Sequence, residues 1–388
     1  MIEFEDLNTF ETALRRNTIA GSVIQGLDLS GHGQRLRDVD VAGTVFLGCR
    51  LPPDVVGHVT GRGALVFPDL PGHLPYQPYR GRLYSPEELF EAFDPEDPLT
   101  YCECLDARVY RHWQKTGGAR PPSILETLAR RLHDHAITDA LEELLQSRER
   151  VVAIMGGHAM ARNDPGYRTM AHLSRRLSRR GYFMASGGGP GAMEATHLGA
   201  WFAPYGEAEL DEAIGMLSTA PSYRDRDWLA QAFRVRARFG ARGEEQASLG
   251  IPTWLYGHEP PNPFATHIAK YFANSVREDG LVTIATHGII YAPGSAGTIQ
   301  EIFQDVTQNH YGTVGCVSPM VFYDEAYWTK EKPVYPLLRG LAQGRSYERM
   351  VTIADTPDDI IDFLEHHPPA PSGQGGWSFC DTYLPSGS

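Results

Sequence analysis

No stretch of this chain is apolar and uninterrupted over the roughly 20 residues that a membrane-spanning helix needs. The N-terminus, Met1-Ile2-Glu3-Phe4-Glu5-Asp6, is acidic where a secretory signal is basic and then apolar, so the expected location is the cytoplasm, with no membrane partner. Cysteine is scarce: the five present, Cys49, Cys102, Cys104, Cys316 and Cys380, are odd in number and scattered, which excludes a disulfide framework. Cys102-x-Cys104 with His112 lacks the second ligand pair of a zinc site, so no metal is expected. Positive charge is in deficit, with 35 Lys+Arg against 48 Asp+Glu and a net charge of −13. That argues against a nucleic-acid partner, because such proteins neutralise phosphates with a basic face.

Two nucleotide-binding signatures are also missing. Gly156-Gly157-His158 has no third glycine in register, and the next strand-like run ends in Ser186-Gly187 rather than in an acidic residue, so the dinucleotide fingerprint is absent. The lysine of a Walker loop is absent too, which disfavours ATP hydrolysis of that kind.

What is present is an ordinary core-forming composition, 42% hydrophobic and 10% aromatic over 388 residues, enough for two domains. From Arg150 onward strand-like and helix-like segments alternate. Strands are expected at Val151–Met155, Tyr182–Ala185, Ala213–Leu217, Pro252–Tyr256, Gly288–Ala292, Val317–Tyr323 and Met350–Ala354, with a helix over Tyr167–Arg180. The pattern implies a doubly wound, mainly parallel Rossmann-like α/β sheet over residues 150–367, with ligands at the carboxyl ends of its strands.

Residues 1–120 are expected to form a smaller mixed α+β domain. Within it Leu36, Val41, Phe46 and Leu51 recur every five positions, as in a pentapeptide-repeat β-helix. Ser85-Pro86-Glu87-Glu88 and Ser123-Ile124-Leu125-Glu126 read as capped helix starts. The second opens a connecting helix within 121–149, with Leu125, Leu128, Leu132, Leu141 and Leu144 as its packing stripe. Residues 368–388, rich in Pro, Ser and Gly, read as a loose tail or a strap on a partner subunit.

The chemistry concentrates in two glycine-rich turns, Ser186-Gly187-Gly188-Gly189-Pro190-Gly191-Ala192-Met193-Glu194 and Pro293-Gly294-Ser295-Ala296-Gly297-Thr298-Ile299-Gln300-Glu301. Each follows an apolar run and opens a helix-like one. Glycine lets backbone N–H groups approach an anion, and the helix aims its partly positive N-terminus at the same place, so the pair points to a phosphate-bearing ligand. An arginine cluster, Arg224, Arg226, Arg234, Arg236, Arg238 and Arg242, is interleaved with acidic residues and leaves two readings open: a solvated helix face within residues 222–245, or a lid over an anionic ligand.

Over Arg150 to Glu365 these motifs resemble the LOG-like nucleoside 5′-monophosphate phosphoribohydrolases, once mislabelled as lysine decarboxylases. Gly187 to Glu194 resembles that family's GGGxxGxM loop, and Pro293 to Glu301 its PGGxGTxxE signature. Gly156-Gly157-His158, Ile214-Gly215-Met216, Glu259-Pro260-Pro261-Asn262-Pro263 and His287-Gly288-Ile289-Ile290 are similar to the larger bacterial purine and pyrimidine 5′-nucleotide nucleosidases. Ser295 departs from the family's second glycine, and an insert within the segment between Met216 and Glu259 holds the arginine cluster.

The resemblance implies hydrolysis of a nucleoside 5′-monophosphate to free base and ribose 5-phosphate, without metal or organic cofactor, by a homodimer or larger homo-oligomer. It gives Glu301 the catalytic role, since a carboxylate below the ribose stabilises the positive charge that develops as the glycosidic bond breaks. Thr298-x-x-Glu301 equally fits a capping box. Arg277 would orient Glu301, keep it ionised or contact phosphate; a locally paired surface arginine is the other reading. Gly188, Gly189, Gly191, Gly294, Ser295, Ala296, Gly297 and Thr298 are the phosphate and ribose cradle, with tight strand-to-helix packing as the alternative for the glycines. Gly157, His158, Met193 and Glu194 are candidate base or ribose contacts, and Arg162 and Asn163 share the first loop. Another class of function also stays open, a nucleotide or cofactor binding protein without turnover. Decarboxylation would need a pyridoxal-phosphate lysine, and Lys270 is the lysine near the motifs.

Overall fold

The computed structural model of the chain describes residues 2–70, 72 and 74–372. Its first part runs β1 (Glu3–Phe4), α1 (Leu7–Arg16), β2 (Val23–Gln25), α2 (Gly33–Asp38), β3 (Val45–Cys49), α3 (Pro53–Gly61) and β4 (Leu65–Pro68), with the strands in one parallel sheet ordered β1-β2-β3-β4. Strand and helix alternate through these residues, with all four strands parallel. The five-residue recurrence is not a solenoid: Leu36 sits on α2, Val41 in the turn after it and Phe46 on β3, all fully buried in one small core. The spacing reflects successive inward-facing positions on different elements.

Three helices follow, α4 (Pro86–Leu89), α5 (Leu105–Lys115) and α6 (Ile124–Leu145). Ser85 and Ser123 cap α4 and α6, accepting the N–H groups of Glu88 at 3.2 Å and Glu126 at 3.4 Å. Only the far end of the leucine stripe packs: Leu141 is buried and Leu144 lies against the same core, while Leu125 and Leu128 are each 47% exposed and the buried face is completed by Ala129, His133, Asp134, Ile137 and Ala140. The polar residues win the interior because each finds a partner there, His133 against the Tyr84 hydroxyl at 2.8 Å and Asp134 against two backbone amides described below.

The main body comprises β5 (Val151–Met155), α7 (Pro165–Ser178), β6 (Phe183–Ser186), α8 (Ala192–Trp201), α9 (Glu207–Leu217), α10 (Trp228–Arg238), β7 (Ser248–Gly250) and β8 (His267–Ile268). It continues with α11 (Asn274–Ile284), β9 (Ile289–Tyr291), α12 (Ala296–Tyr311), β10 (Cys316–Val317), β11 (Met320–Tyr323), α13 (Val334–Ala342), β12 (Val351–Ala354), α14 (Pro357–His366) and β13 (Ala370–Pro371). Seven strands form a parallel sheet in the order β12-β11-β9-β5-β6-β7-β8, a doubly wound Rossmann-like α/β fold. Alternate residues of β5 serve the two faces, with Val151, Ala153 and Met155 in one core and Val152 and Ile154 in the other, which is why the strand is apolar throughout.

Three expected strands differ. Ala213–Leu217 is the end of α9, whose buried Leu210, Ala213, Ile214 and Leu217 follow helical rather than strand periodicity. Pro252–Tyr256 is a loop and a 3-10 turn capped by Thr253, and the strand lies just before it, at β7. Val317–Tyr323 is interrupted at Pro319, so that β11 joins the main sheet while β10 pairs antiparallel with β13. The start of the expected loose tail is therefore strapped to this chain's own sheet, with Ser372 N–H donating to Gly315 O at 3.2 Å; residues 373–388 lie outside the described residues.

From β5 the chain winds toward β6, and from β9 it winds the other way toward β11. The carboxyl ends of β5 and β9 thus flank a topological switch point, where open α/β sheets hold ligands. Among the described residues no helix is long and apolar enough to cross a membrane.

Candidate active site

At that switch point lies a cavity of about 360 Å³, lined by the loops after β5, β6 and β9, by the 252–259 segment and by α11. Both glycine turns reach it. Neither α8 nor α12 has a side-chain cap at its N-terminus, and both helices open at the loops that line the cavity; the Ala192 N–H of α8 is taken by Gly157 O at 3.3 Å, and the remaining first-turn amides are donors suited to an anion.

The turn after β9 contributes Ser295, Ala296, Gly297 and Thr298 to the cavity wall. Gly294 sits just behind: a Cβ there would come within 2.2 Å of the Thr298 hydroxyl, so the close turn requires glycine. Ser295 does not disturb it. Its φ of −110° is ordinary for a residue with a side chain, so the departure from a double glycine costs no left-handed strain.

In the turn after β6, Gly187 and Gly189 face the cavity, whereas Gly188 and Gly191 are buried behind it. Gly188 and Gly191 each have a φ of +73°, and a Cβ on Gly191 would lie 2.4 Å from Gly157 O. They shape the loops and do not line the site, the packing alternative open from sequence. Asn262, fully buried, pins the same turn through its N–H to Gly188 O at 2.9 Å and its side-chain amide to Gly189 O at 3.3 Å.

Glu301 and Arg277 come together on the cavity wall. Arg277 Nη1 lies 3.5 Å from Glu301 Oε1, with 11% and 13% of their side chains exposed. The capping-box reading of Thr298 and Glu301 fails: Ser295 is the N-cap residue and α12 begins at Ala296, so Thr298 is in the first turn and Glu301 in the second. Burial pushes the Glu301 carboxyl up to about 7, with Arg277 pulling down and Glu278 pushing up. Asn274 Oδ1 accepts from Arg277 Nε at 3.3 Å and from Nη2 at 3.2 Å, and its amide donates to Glu278 at 2.6 Å, so the guanidinium fork has a fixed direction. The start of α11 is held from α6, where the Asp134 carboxylate accepts the N–H groups of Phe272 and Ala273, both at 2.8 Å. One turn beyond Glu301, Asp305 is fully buried and accepts from the Tyr291 hydroxyl at 2.7 Å.

The remaining candidates divide. Gly157, His158 and Met193 line the cavity, and His158 Nδ1 is 3.4 Å from Glu259 Oε1. Glu194 does not: it is fully buried, bound by Arg162 through Nη2 at 2.6 Å and Nε at 2.9 Å and by the Tyr167 hydroxyl at 3.0 Å. Glu194 and Arg162 therefore neutralise each other beneath the first loop, out of a ligand's reach. Lys270 is fully buried against Asp106, away from the cavity lining, which removes the Schiff-base reading. None of the insert's arginines lines the cavity either. Arg234 pairs with Glu96 at 3.0 Å, Arg236 with Glu87 and Arg238 with Glu212, so α10 is tied to neighbouring segments rather than poised over the site.

Sequence reasoning missed Tyr256, Glu259, Thr253, Glu278 and Gln300 in the lining. Glu259 and Gln300 stood inside quoted motifs without being singled out; Thr253, Tyr256 and Glu278 lie outside them.

No family model and no curated protein matches the chain. Solved structures do, distantly. The molybdenum cofactor binding protein from Rippkaea orientalis is 13% identical over 57% of this chain and 98% of its own, with a TM-score of 0.36. The molybdenum cofactor carrier protein from Chlamydomonas reinhardtii is 12% identical over 57% and 100%, at 0.35, and the structural-genomics target TM1055 is 17% identical over 56% and 100%, at 0.38. Likeness this loose decides nothing about ligand or reaction.

Proposed function

We propose that the chain hydrolyses the N-glycosidic bond of a nucleoside 5′-monophosphate. Water adds its oxygen to C1′ and a proton ends on the departing base, giving free base and ribose 5-phosphate. The observation that supports this best is one cavity holding a recessed carboxylate, Glu301, beside two uncapped helix N-termini. In this reading the 5′-phosphate takes the amides of Ser295 to Thr298, with Gly189 on the facing turn. The ribose lies over Glu301, whose ionised form stabilises the developing oxocarbenium charge and holds the ribose hydroxyls. Arg277 favours that ionised form and directs the carboxylate. The LOG-like motif resemblance supports the same assignment and brings with it a homodimer.

The test is release of base and ribose 5-phosphate from a panel of purine and pyrimidine 5′-monophosphates, with the matching nucleosides and Glu301→Ala as controls. Glu301-dependent cleavage confined to monophosphates is expected. Tight retention of a nucleotide without cleavage would instead make the chain a nucleotide-binding protein.

A further inference from the structure

Beyond β11 the chain enters a strained segment that the reaction as described does not use. Asp324 has a φ of +79°, left-handed for a residue with a side chain, and residues Tyr327–Glu331 form a single π-helical turn closed by Lys332 N–H on Tyr327 O at 2.7 Å. Both features are uncommon and tend to occur where a side chain must be held in a particular place. Here they are locked from two sides. Asp324 Oδ1 accepts the N–H of Tyr327 at 2.9 Å, and the fully buried Trp328 donates its indole N–H to Tyr291 O, at the end of β9, at 3.1 Å.

The locked turn presents the Tyr327 hydroxyl to Gly294 O, at 2.5 Å. That carbonyl shares a peptide plane with the N–H of Ser295, and in a trans peptide the two point in opposite directions. β11 lies on one side of β9 and β5 on the other, with the cavity toward β5. Holding the Gly294 carbonyl toward β11 therefore turns the Ser295 N–H toward the cavity. Without the hydroxyl the peptide is free to rotate and offer a carbonyl oxygen, which repels an anion.

We infer that Tyr327 is a positioning residue for phosphate: by fixing the Gly294–Ser295 peptide it sets the affinity of the site for the 5′-phosphate and leaves the nucleoside part of recognition alone. The inference rests on the reading of the cavity as a phosphate site. The test compares the full-length wild-type chain with Tyr327→Phe, which keeps the ring and removes the hydroxyl. Binding of inorganic phosphate, ribose 5-phosphate, a 5′-monophosphate and its nucleoside is measured by calorimetry, with KM and kcat for the monophosphate and thermal unfolding as a fold control.

The variant is expected to bind the three phosphate-bearing ligands about tenfold more weakly, the scale of one hydrogen bond, with KM raised, kcat within about twofold and nucleoside binding unchanged. Equal phosphate affinity in the two proteins, or a parallel loss for nucleoside and monophosphate, overturns the assignment. Wild-type protein that binds no phosphate-bearing ligand overturns the phosphate reading itself and this assignment with it, a result distinct from equal binding by both. Should Tyr327→Phe unfold early, Asp324→Ala, which removes the carboxylate that holds the Tyr327 N–H, must shift the same phosphate-to-nucleoside ratio or the assignment falls.

Discussion

Arg277 Nη1 stands 3.5 Å from Glu301 Oε1, close enough to lower the carboxyl's proton affinity but not enough to cancel its burial. The group that the proposed reaction needs ionised is therefore poised near neutrality. For the free protein, kcat/KM is expected to rise with pH through about 7, because only the carboxylate form is productive. A flat profile between pH 5 and pH 9 would rule out Glu301 as the titrating group.

Replacing Arg277 by Met removes the interaction that lowers the Glu301 value while leaving burial in place. The midpoint should move to higher pH and the rate at pH 7 should fall by about 10- to 100-fold, with part of the loss recovered at pH 9. If the rate drops equally at every pH, Arg277 acts on substrate rather than on Glu301.

Glu301→Gln should lower turnover by about a thousandfold, the scale of a lost electrostatic stabiliser, and should also change stability with a definite sign. The native carboxyl holds its proton up to about 7, whereas the unfolded one releases it near 4.5. Wild-type stability therefore declines as pH rises across that window and levels off above it, by on the order of 3 kcal/mol. The Gln variant lacks this decline, so it should unfold at higher urea than wild type at pH 8 and lose that advantage at pH 4.5. An advantage that grows toward acid would contradict the raised value.

Arg162 and Glu194 are 1% and 0% exposed and are paired with each other, with Tyr167 donating to the same carboxylate. Arg162→Ala leaves a buried carboxylate without its counter-charge, and a loss of about 3–5 kcal/mol is expected in denaturant unfolding. A normally stable variant with a raised KM would return Arg162 to the list of ligand contacts.

Gly191→Ala should be costly for both stability and activity, because its left-handed φ and the 2.4 Å approach to Gly157 O leave no place for a methyl group. Gly297→Ala meets nothing within 4 Å on α12 and should unfold no earlier than wild type, so that any loss of binding there is not a loss of fold.

Much of the fold was legible because its signals are local. β5 and β9 are short apolar runs ahead of glycine, Ser85 and Ser123 cap the helices they announce, and the alternation after Arg150 leads to the parallel sheet. The misses are places where two local patterns compete. Ala213–Leu217 is too short to distinguish a strand from the end of a helix by composition, and in the first half of α6 Leu125 and Leu128 stay exposed while His133 and Asp134, whose partners are remote in sequence, take the interior. In the site, the two turns, Glu301 and Arg277 were visible in sequence, while Tyr327 and Asp134 carried no signal, since each acts on a backbone group of a segment remote in sequence.

By itself, then, the amino-acid order determined where backbone amides can gather around an anion, because glycine, proline and helix starts dictate conformation within a few residues. It could not decide which charges face a ligand. Arg162, Glu194, Arg277 and Glu301 are alike as residue types, yet the first two are folded against each other and the last two line a cavity. That division depends on which carboxylate is desolvated beside which guanidinium, and only the packing of distant helices sets it.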